Sequence, residues 1–497
     1  MNILLVYPEY PNTFWSFKQV LKFIRKKAAF PPLGLLTVSS MLPKDWNKKL
    51  VDVNVNKLTD EKIAWADMIF MSAMIVQGDS AKEIIQRCKE LGKTVVAGGP
   101  VFTTGHERFK DVDHFILNEA ESTLPRFLKD FKEGKAEKIY RSEERPDVAQ
   151  TPLPDWSLID FKDYAVMPIQ YSRGCPFNCE FCDIIVMNGR TPRAKTPTQL
   201  EKEFDALYNA GWIGSVFIVD DNFIGNRGLV KKMLPVLIEW QKKHDYPFTL
   251  LTEASTNLAD DEELMRLMSS ANFYKVFLGI ETPNPESLRE CSKVQNLKGS
   301  LMENVQKIQA HGMQVMGGFI VGFDSDTESI FDTQINFIQD VGVVTAMVGM
   351  LAALPQTRLW HRLKDEGRLL DVTKGDNTND QLNFVPKMGA EKLLAGYKKI
   401  ISTIYSPKQY YERINTLLKV YKPTVKNRLK KEDLQAFIRS MWRIGLLSRS
   451  RYQYWKLIVK TFITKRKSLP VVIDMAIWGL HFQKIVRKMN VKKNVNV

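Results

Sequence analysis

A chain of 497 residues is longer than one ordinary hydrophobic core supports, so two or three domains are expected. Apolar residues at 44% and charged residues at 26% describe a folded globular protein and exclude a disordered or fibrous one. Five cysteines are too few for a disulfide scaffold and suit a reducing, intracellular protein. The net charge of +15 is unevenly placed: residues 401–497 carry 22 Lys and Arg against 4 Asp and Glu, and the rest is slightly acidic. A negatively charged partner is therefore expected at the last fifth of the chain.

Residues 1–140 alternate short apolar runs with helical patterns. Asn2–Tyr7 reads as a first strand and not as a signal peptide, because no basic leader or cleavage site accompanies it. Further strands are expected over 49–55, 68–72, 94–97 and 115–117, with helices over 33–41 and 80–91 between them. That alternation predicts a doubly wound parallel sheet. Gly98-Gly99-Pro100 follows a strand directly, where the backbone turns sharply or approaches a ligand. Residues 141–167 hold Arg145-Pro, Thr151-Pro-Leu-Pro154 and Met167-Pro with little periodicity, and read as a linker on the surface.

From 168 to 365, strand and helix repeat. Strands are expected over 169–172, 215–219, 248–253, 275–279, 316–321 and 344–351. Six such units predict a partial (β/α)6 barrel with its active site at the carboxyl ends of the strands. The loop after the first strand reads Tyr171-Ser-Arg-Gly-Cys175-Pro-Phe-Asn-Cys179-Glu-Phe-Cys182. Three thiols at C-x3-C-x2-C spacing can turn toward one centre, which soft thiolates fill with zinc, copper or an iron–sulfur cluster. A structural zinc site is normally closed by a fourth protein ligand, and none stands nearby. Cys88 and Cys291 are isolated and read as buried small hydrophobes.

The domain over 366–497 is helical, with apolar residues at helical spacing and basic faces over 391–404, 407–420, 431–446 and 452–464. The run 469–482 is apolar but interrupted by Asp474, which fits a core or interfacial helix better than a membrane span. With Trp442, Trp455 and Trp478 among many Lys and Arg, the region has the character of a membrane-surface element. No base-reading motif is present, so no nucleic acid partner is expected.

The cysteine loop resembles that of the radical S-adenosylmethionine (SAM) superfamily. The resemblance implies a [4Fe–4S] cluster on Cys175, Cys179 and Cys182, with one open iron that chelates SAM. It also implies that Phe181 lies near adenine and that Asp220 and Asp221 meet the SAM amino group. Glu253 and Ser255, ending what the family layout makes strand four, are expected at the ribose or the methionyl carboxylate. Gly279 and Glu281, then Gly318 and Gly322, are expected to pack on ribose and adenine. The first domain resembles a cobalamin-binding domain through Phe30-Pro-Pro-Leu-Gly-Leu-Leu, Ser72-Ala-Met-Ile-Val-Gln77, Val95-Val-Ala-Gly-Gly-Pro100 and Asn118-Glu-Ala-Glu121. Gln77, Gly98, Gly99, Pro100 and Glu119 are thereby implied at cobalamin. The Asp-x-His-x-x-Gly signature of cobalt-ligating proteins is absent, so the resemblance implies cobalamin without a protein histidine on cobalt.

The whole layout, with Phe14-Trp-Ser-Phe17, Lys26-Lys-Ala-Ala-Phe-Pro-Pro-Leu-Gly34 and the helical tail, is most similar to the cobalamin-dependent radical SAM methylases, the hopanoid C-2 methylase group in particular. That likeness implies C-methylation of an sp3 carbon on a lipid. It also implies an electron donor such as flavodoxin or ferredoxin, and a cytoplasmic enzyme, peripheral at the inner membrane face. Two other readings stay open at this point: radical chemistry without methyl transfer, such as carbon coupling or ring formation, and a non-catalytic cobalamin or redox sensor.

Overall fold

The computed structural model describes residues 1–491 except 14, 15, 372, 374, 377, 379, 380 and 427–430. Phe14 and Trp15, part of one resemblance phrase above, thus lie outside the described residues, as does the tail beyond 491. Two six-stranded parallel sheets carry the fold. The first is built from β1 (Asn2–Tyr7), β2 (Asn47–Asp52), β3 (Met68–Ser72), β4 (Thr94–Gly98), β5 (His114–Ile116) and β6 (Ile139–Tyr140), in the order β2-β1-β3-β4-β5-β6. Its central strands are apolar through their middles, Ile3–Val6, Met68–Met71 and Val95–Ala97, because both faces are covered. Leu4 and Val6 join one core with Ile69, Met71, Val95 and Ala97. Ile3 and Leu5 join the other with Phe70, Val96 and Ile116. The strand order reverses between β1 and β3, and open parallel sheets take ligands in the crevice at such a point.

Residues 141–167 do not lie only on the surface, as their prolines and weak periodicity led us to expect. Trp156 and Tyr164 are buried in the core shared with the second sheet. Val166 N donates to the Ala29 carbonyl at 2.8 Å, and Tyr164 Oη donates to Asp52 Oδ2 at 3.1 Å. The segment is a wedge between the sheets, held by backbone pairing that composition does not reveal.

The second sheet runs β7 (Met167–Ile169), β10 (Gly214–Ile218), β11 (Phe248–Ala254), β12 (Phe273–Glu281), β13 (Gln314–Val321) and β14 (Thr345–Met350), each parallel to the next. This is a partial barrel of six strands. The strand ended by Glu253 and Ser255 is third in it, not fourth, and those bearing Gly279 and Gly318 are fourth and fifth. Along β11, residues alternate between sealed and open. Phe248 and Leu250 lie under the helices, while Thr249, Leu251 and Glu253 face the lumen. The expected first strand is split. After β7 the chain forms a short antiparallel ribbon, β8 (Ser172–Arg173) with β9 (Arg193–Ala194), which pinches the neck of the cysteine loop.

The helical tail shares the barrel's core. Arg413 of helix Pro407–Val420 is fully buried, donating to Gln339 Oε1 at 2.5 Å and to the Ile404 and Val344 carbonyls at 2.8 and 3.1 Å. The last helix runs Leu469–Val491. Asp474, which interrupts its apolar run, pairs with Lys275 of β12 at 2.7 Å and accepts from Trp478 Nε1 at 3.0 Å. This is the one helix, among the described residues, long and apolar enough to cross a membrane, and 56% of its apolar window is buried inside the protein. It is a core helix of the bundle. Trp478 is half-buried against Phe17, with ring centroids 4.7 Å apart.

Candidate active site

The cysteine loop is braced on three sides. Gly174 has φ 96°, and a Cβ there would meet the Thr191 carbonyl oxygen at 2.9 Å, so the residue before Cys175 must be glycine. At the neck, Arg173 donates to Glu119 Oε2 at 2.7 Å and to Glu121 Oε1 at 2.8 Å, while Arg193 reaches Glu119 Oε1 at 2.7 Å. Between the second and third cysteines, Glu180 takes a forked contact from Arg362, at 2.7 and 3.2 Å. The same arginine bonds Asp324 at 2.9 Å, and Arg368 adds a second fork to Asp324 at 2.6 and 2.8 Å. Forked Arg–carboxylate pairs fix orientation as well as charge.

Asp220 and Asp221 are placed differently from the expectation. Both Asp220 oxygens accept from the loop's own entrance, from Tyr171 N at 2.7 Å and from Ser172 N and Oγ at 2.8 and 2.6 Å. Asp221 Oδ2 accepts from Gly174 N at 3.0 Å and Asn188 Nδ2 at 2.8 Å. These carboxylates anchor the cysteine loop by accepting from its entrance and from Gly174 and Asn188. Asn222, the next residue, turns inward. Its Nδ2 lies 3.7 Å from Cys175 Sγ and 3.3 Å from Ser255 Oγ.

Cys179 is buried, with Gln295 Nε2 at 3.7 Å from its sulfur. Lys293 is buried beside the loop, 2.6 Å from Glu281 and 6.0 Å from the centre of the Phe181 ring. Burial works to discharge Lys293, but the charges of Glu281 and the nearby Cys179 outweigh it and hold the amine above its ordinary value. Glu281, expected at ribose, is paired to Lys293 through Oε1. Burial pushes the Cys175 and Cys182 thiols up, so a cation is needed to draw out their thiolates. Among the described residues no three His, Cys, Asp or Glu side chains converge as one metal ion demands. Zinc would hold thiolates at about 2.3 Å.

The lumen residues divide by what they touch. The Glu253 carboxyl makes no hydrogen bond among the described residues, and burial, with Asp221 and Asp220 close by, pushes its pKa up to about 7. A carboxyl held neutral in the fold binds its proton more tightly than in the unfolded chain. Its contribution to stability therefore falls as pH rises from its ordinary 4.5 through about 7. Glu253→Gln should flatten that part of the pH profile, measured by chemical denaturation at the two ends of the window. An unchanged slope would contradict the buried, unpaired placement.

Gly279 leaves room for the Glu281–Lys293 pair, since a Cβ would sit 2.5 Å from Glu281 Oε1. Gly318 accommodates the Phe277 ring, and Gly322, at φ 105°, packs on Leu393 of the helical tail. These glycines serve protein packing, a role the sequence does not distinguish from cofactor approach. Phe181 lines a cavity of about 410 Å3 at the carboxyl ends of both sheets. Tyr10, Asn54 and Val76 face it from the first sheet, and Ile320, Met350 and Leu354 from the barrel.

In the first domain, Gln77 ties the β1 and β3 loops together. It donates to the Pro8 carbonyl at 2.6 Å and accepts from Met74 N at 2.8 Å. Glu119 is consumed by Arg173 and Arg193, as described. Both side chains, expected at cobalamin, have protein partners in this fold. Gly98 passes so close to β5 that a Cβ would meet the Ile116 carbonyl at 2.7 Å. Gly99, at φ 92°, lies where a Cβ would meet Ser72 Oγ at 2.5 Å, and Pro100 opens the short helix that follows. Beside that turn is a cavity of about 220 Å3 lined by Val76, Gly78, Val101 and Phe109. Arg108 also lines it, and Arg108 Nη2 is buried without a hydrogen-bond partner among the described residues. An unpaired guanidinium N–H beside a close-packed glycine turn fits a ligand bearing acceptor oxygens.

Two parallel sheets facing one cavity, with a three-cysteine loop at the mouth of a partial barrel, define a radical SAM enzyme with a second cofactor domain. The sequence agrees part by part. It matches a B12 binding domain over residues 25–128, the radical SAM superfamily over 169–338 and a domain of unknown function (DUF4070) over 357–494. It is 44% identical, over 92% of its length and 86% of the relative's, to an uncharacterized methyltransferase of Synechocystis sp.. It is 33% identical, over 93% of its length and 89% of the relative's, to the hopanoid C-2 methylase of Rhodopseudomonas palustris. In fold it is similar to the cobalamin-dependent SAM radical enzyme OxsB, with TM-score 0.63 at 16% identity, covering 100% of this chain and 80% of that one. It is also similar to the radical SAM methyltransferase TsrM of Kitasatospora setae, with TM-score 0.60 at 14% identity, covering 93% and 99%.

The chain belongs to the cobalamin-dependent radical SAM methyltransferases. Its cofactors are a [4Fe–4S] cluster, SAM and cobalamin, and its turnover requires an electron donor. Membership sets the methylase reading above the sensor and non-methylating ones. Sequence reasoning missed Asn222 as an inward-turned side chain, Lys293, Gln295, Arg362 and Arg368. None belongs to a spaced motif. Each acts through a contact made in the fold.

Proposed function

We propose that this methylase acts on an apolar lipid of the hopanoid kind, drawn from the cytoplasmic face of a membrane. The observation that carries the reading is the cavity of about 410 Å3 between the two sheets, whose barrel wall is Phe181, Ile320, Met350, Leu351 and Leu354. Such a wall gains by taking up hydrocarbon and offers a polar substrate little. The likeness to a hopanoid C-2 methylase supports the same class.

In this reading Cys175, Cys179 and Cys182 hold the cluster, with Asn222 and Gln295 directed at two of the sulfurs and Lys293 supplying positive charge. Phe181 packs beside adenine, and Glu253 and Ser255 meet the polar end of SAM. The turn at Gly98-Gly99-Pro100 and Arg108 seat cobalamin. When bound, the cluster and SAM supply a hydrogen-abstracting radical, and cobalamin supplies the methyl group. The protein's part is to hold the target carbon between the two sheets and keep water out with its apolar wall. A flavodoxin or ferredoxin serves as electron donor, and nucleic acid plays no part.

The test is incubation of the reduced, reconstituted enzyme with methyl-deuterated SAM and a membrane lipid extract. A polycyclic lipid heavier by one labelled methyl group is expected. Label appearing only in water-soluble products would sink the lipid assignment.

A further inference from the structure

We propose that the hairpin of helix Lys431–Ser440, the π-helical turn Met441–Leu446 and helix Arg451–Thr464 docks on an anionic lipid bilayer. Its exposed apolar side chains would enter the acyl boundary, and the Lys and Arg that do not turn back to the protein, such as Arg449, Arg451 and Lys456, would lie among the headgroups. The inference rests on the lipid-substrate reading for its purpose. The hairpin's inner positions, Ala436, Ser440, Ile444, Tyr454, Leu457 and Ile458, are buried against the protein. Ser440 Oγ and Tyr454 Oη lie 2.8 Å apart and join the two arms. The outer positions are as apolar as the inner ones, yet open. Trp442 is 62% exposed, Leu447 70%, Tyr452 71% and Ile463 73%, with Ile438 and Phe462 half exposed beside them. Exposed apolar residues are ordinary when scattered singly, but this density on one hairpin marks an interaction surface.

Charge selects the occupant. The hairpin, residues 431–464, holds seven Lys and Arg against two acidic residues, Glu432 and Asp433, both in its first turn. A second copy on this face would bring like charges together. Trp and Tyr beside Lys and Arg on amphipathic helices suit the boundary of a bilayer with anionic headgroups. The hairpin also connects to the cavity. Helix Lys18–Ile24 lines the cavity with Lys18 and Leu21. Behind it, Arg439 donates to the Phe23 carbonyl, and the Arg443 guanidinium lies 5.2 Å from the Phe23 ring centre. The docking face and the cavity wall thus share one short helix.

The full reconstituted chain should be mixed with vesicles of phosphatidylcholine, with and without phosphatidylglycerol, at low and high salt. Co-sedimentation and tryptophan fluorescence report binding. Wild type is expected to bind the anionic vesicles and to weaken with salt. Leu447→Glu/Ile463→Glu should bind them about tenfold more weakly and still methylate detergent-dispersed lipid at the wild-type rate. Wild type that ignores anionic vesicles overturns the proposal, as does a variant that binds like wild type. Self-association of lipid-free wild type that the variant abolishes also overturns it, because the face would then be a dimer contact. Vesicle binding without methylation of dispersed lipid would instead remove the lipid-substrate reading and leave the docking face standing.

Discussion

Cys179→Ala should leave a folded protein that retains no [4Fe–4S] absorbance and makes no 5′-deoxyadenosine above background. The expectation follows from what surrounds the sulfur. Cys179 is buried, it receives Gln295, and the loop between it and Cys182 is clamped by the Glu180–Arg362 fork. That bracing is made by Glu180 and backbone atoms, so losing the thiol removes a ligand without releasing the loop. Cys88→Ala is the control. That thiol is buried in the first domain, where burial pushes it up to about 11, and it lies away from the loop. The control should keep iron and activity at a stability cost of about 1 kcal/mol for a small lost side chain. Normal deoxyadenosine yield from Cys179→Ala would contradict the assignment of the cluster to this loop.

Arg173→Ala should be the most damaging change outside the cysteines. Arg173 links the neck of the cysteine loop to two carboxylates of the first domain, Glu119 and Glu121. Burial opposes the charge on Glu121, but hydrogen bonds and charge from Arg173, with help from Thr151, outweigh it and hold the carboxyl down at about 2. Removing one partner of such a buried set costs about 3–5 kcal/mol, because the remaining charges lose compensation. The stabilisation in wild type is present above the ordinary value of 4.5 and is lost as pH falls toward about 2. Arg173→Ala should therefore lower the denaturation midpoint at neutral pH and erase the acid-dependent part of the profile. Cobalamin retention should fall with it, since among the described residues only the Arg193–Glu119 contact would still tie this neck to the first domain. Arg173→Lys keeps charge without the fork and should fall between. A neutral-pH midpoint equal to wild type would show that the anchor contributes nothing.

What could be read in the chain follows how local each signal is. Five strands of the first sheet and the later strands of the second announce themselves by apolar runs, and the alternation with helices is enough to give two parallel sheets. The two-residue strand Ile139–Tyr140 is too short to show a pattern, and the first barrel strand, Met167–Ile169, starts two residues before its expected position. The cysteine spacing and its flanking Arg173-Gly174 lie within a dozen residues, so they too are legible. The carboxylates are not. Asp220, Asp221, Glu119 and Glu281 carry the right chemistry for a ligand, but each is taken by a protein donor from elsewhere in the chain. Glu119 meets Arg173 and Arg193, 54 and 74 residues away. No periodicity encodes such a partner. Conversely Lys293 and Arg362 stand on helical or irregular segments without a motif, and only folding brings them to the loop. The segment 141–167 misled for the same reason. Its prolines report extended backbone, and the burial of Trp156 and Tyr164 depends on the crevice between two sheets.

The central claim is that one cavity unites radical generation with methyl transfer. The most direct test is product stoichiometry in the anaerobically reconstituted, reduced enzyme supplied with SAM, cobalamin and a lipid substrate. The account predicts 5′-deoxyadenosine, S-adenosylhomocysteine and methylated lipid in equal amounts, with all three abolished by Cys179→Ala and methylated lipid absent without cobalamin. Deoxyadenosine formed with lipid consumed, but with no S-adenosylhomocysteine and no added methyl group, would contradict it.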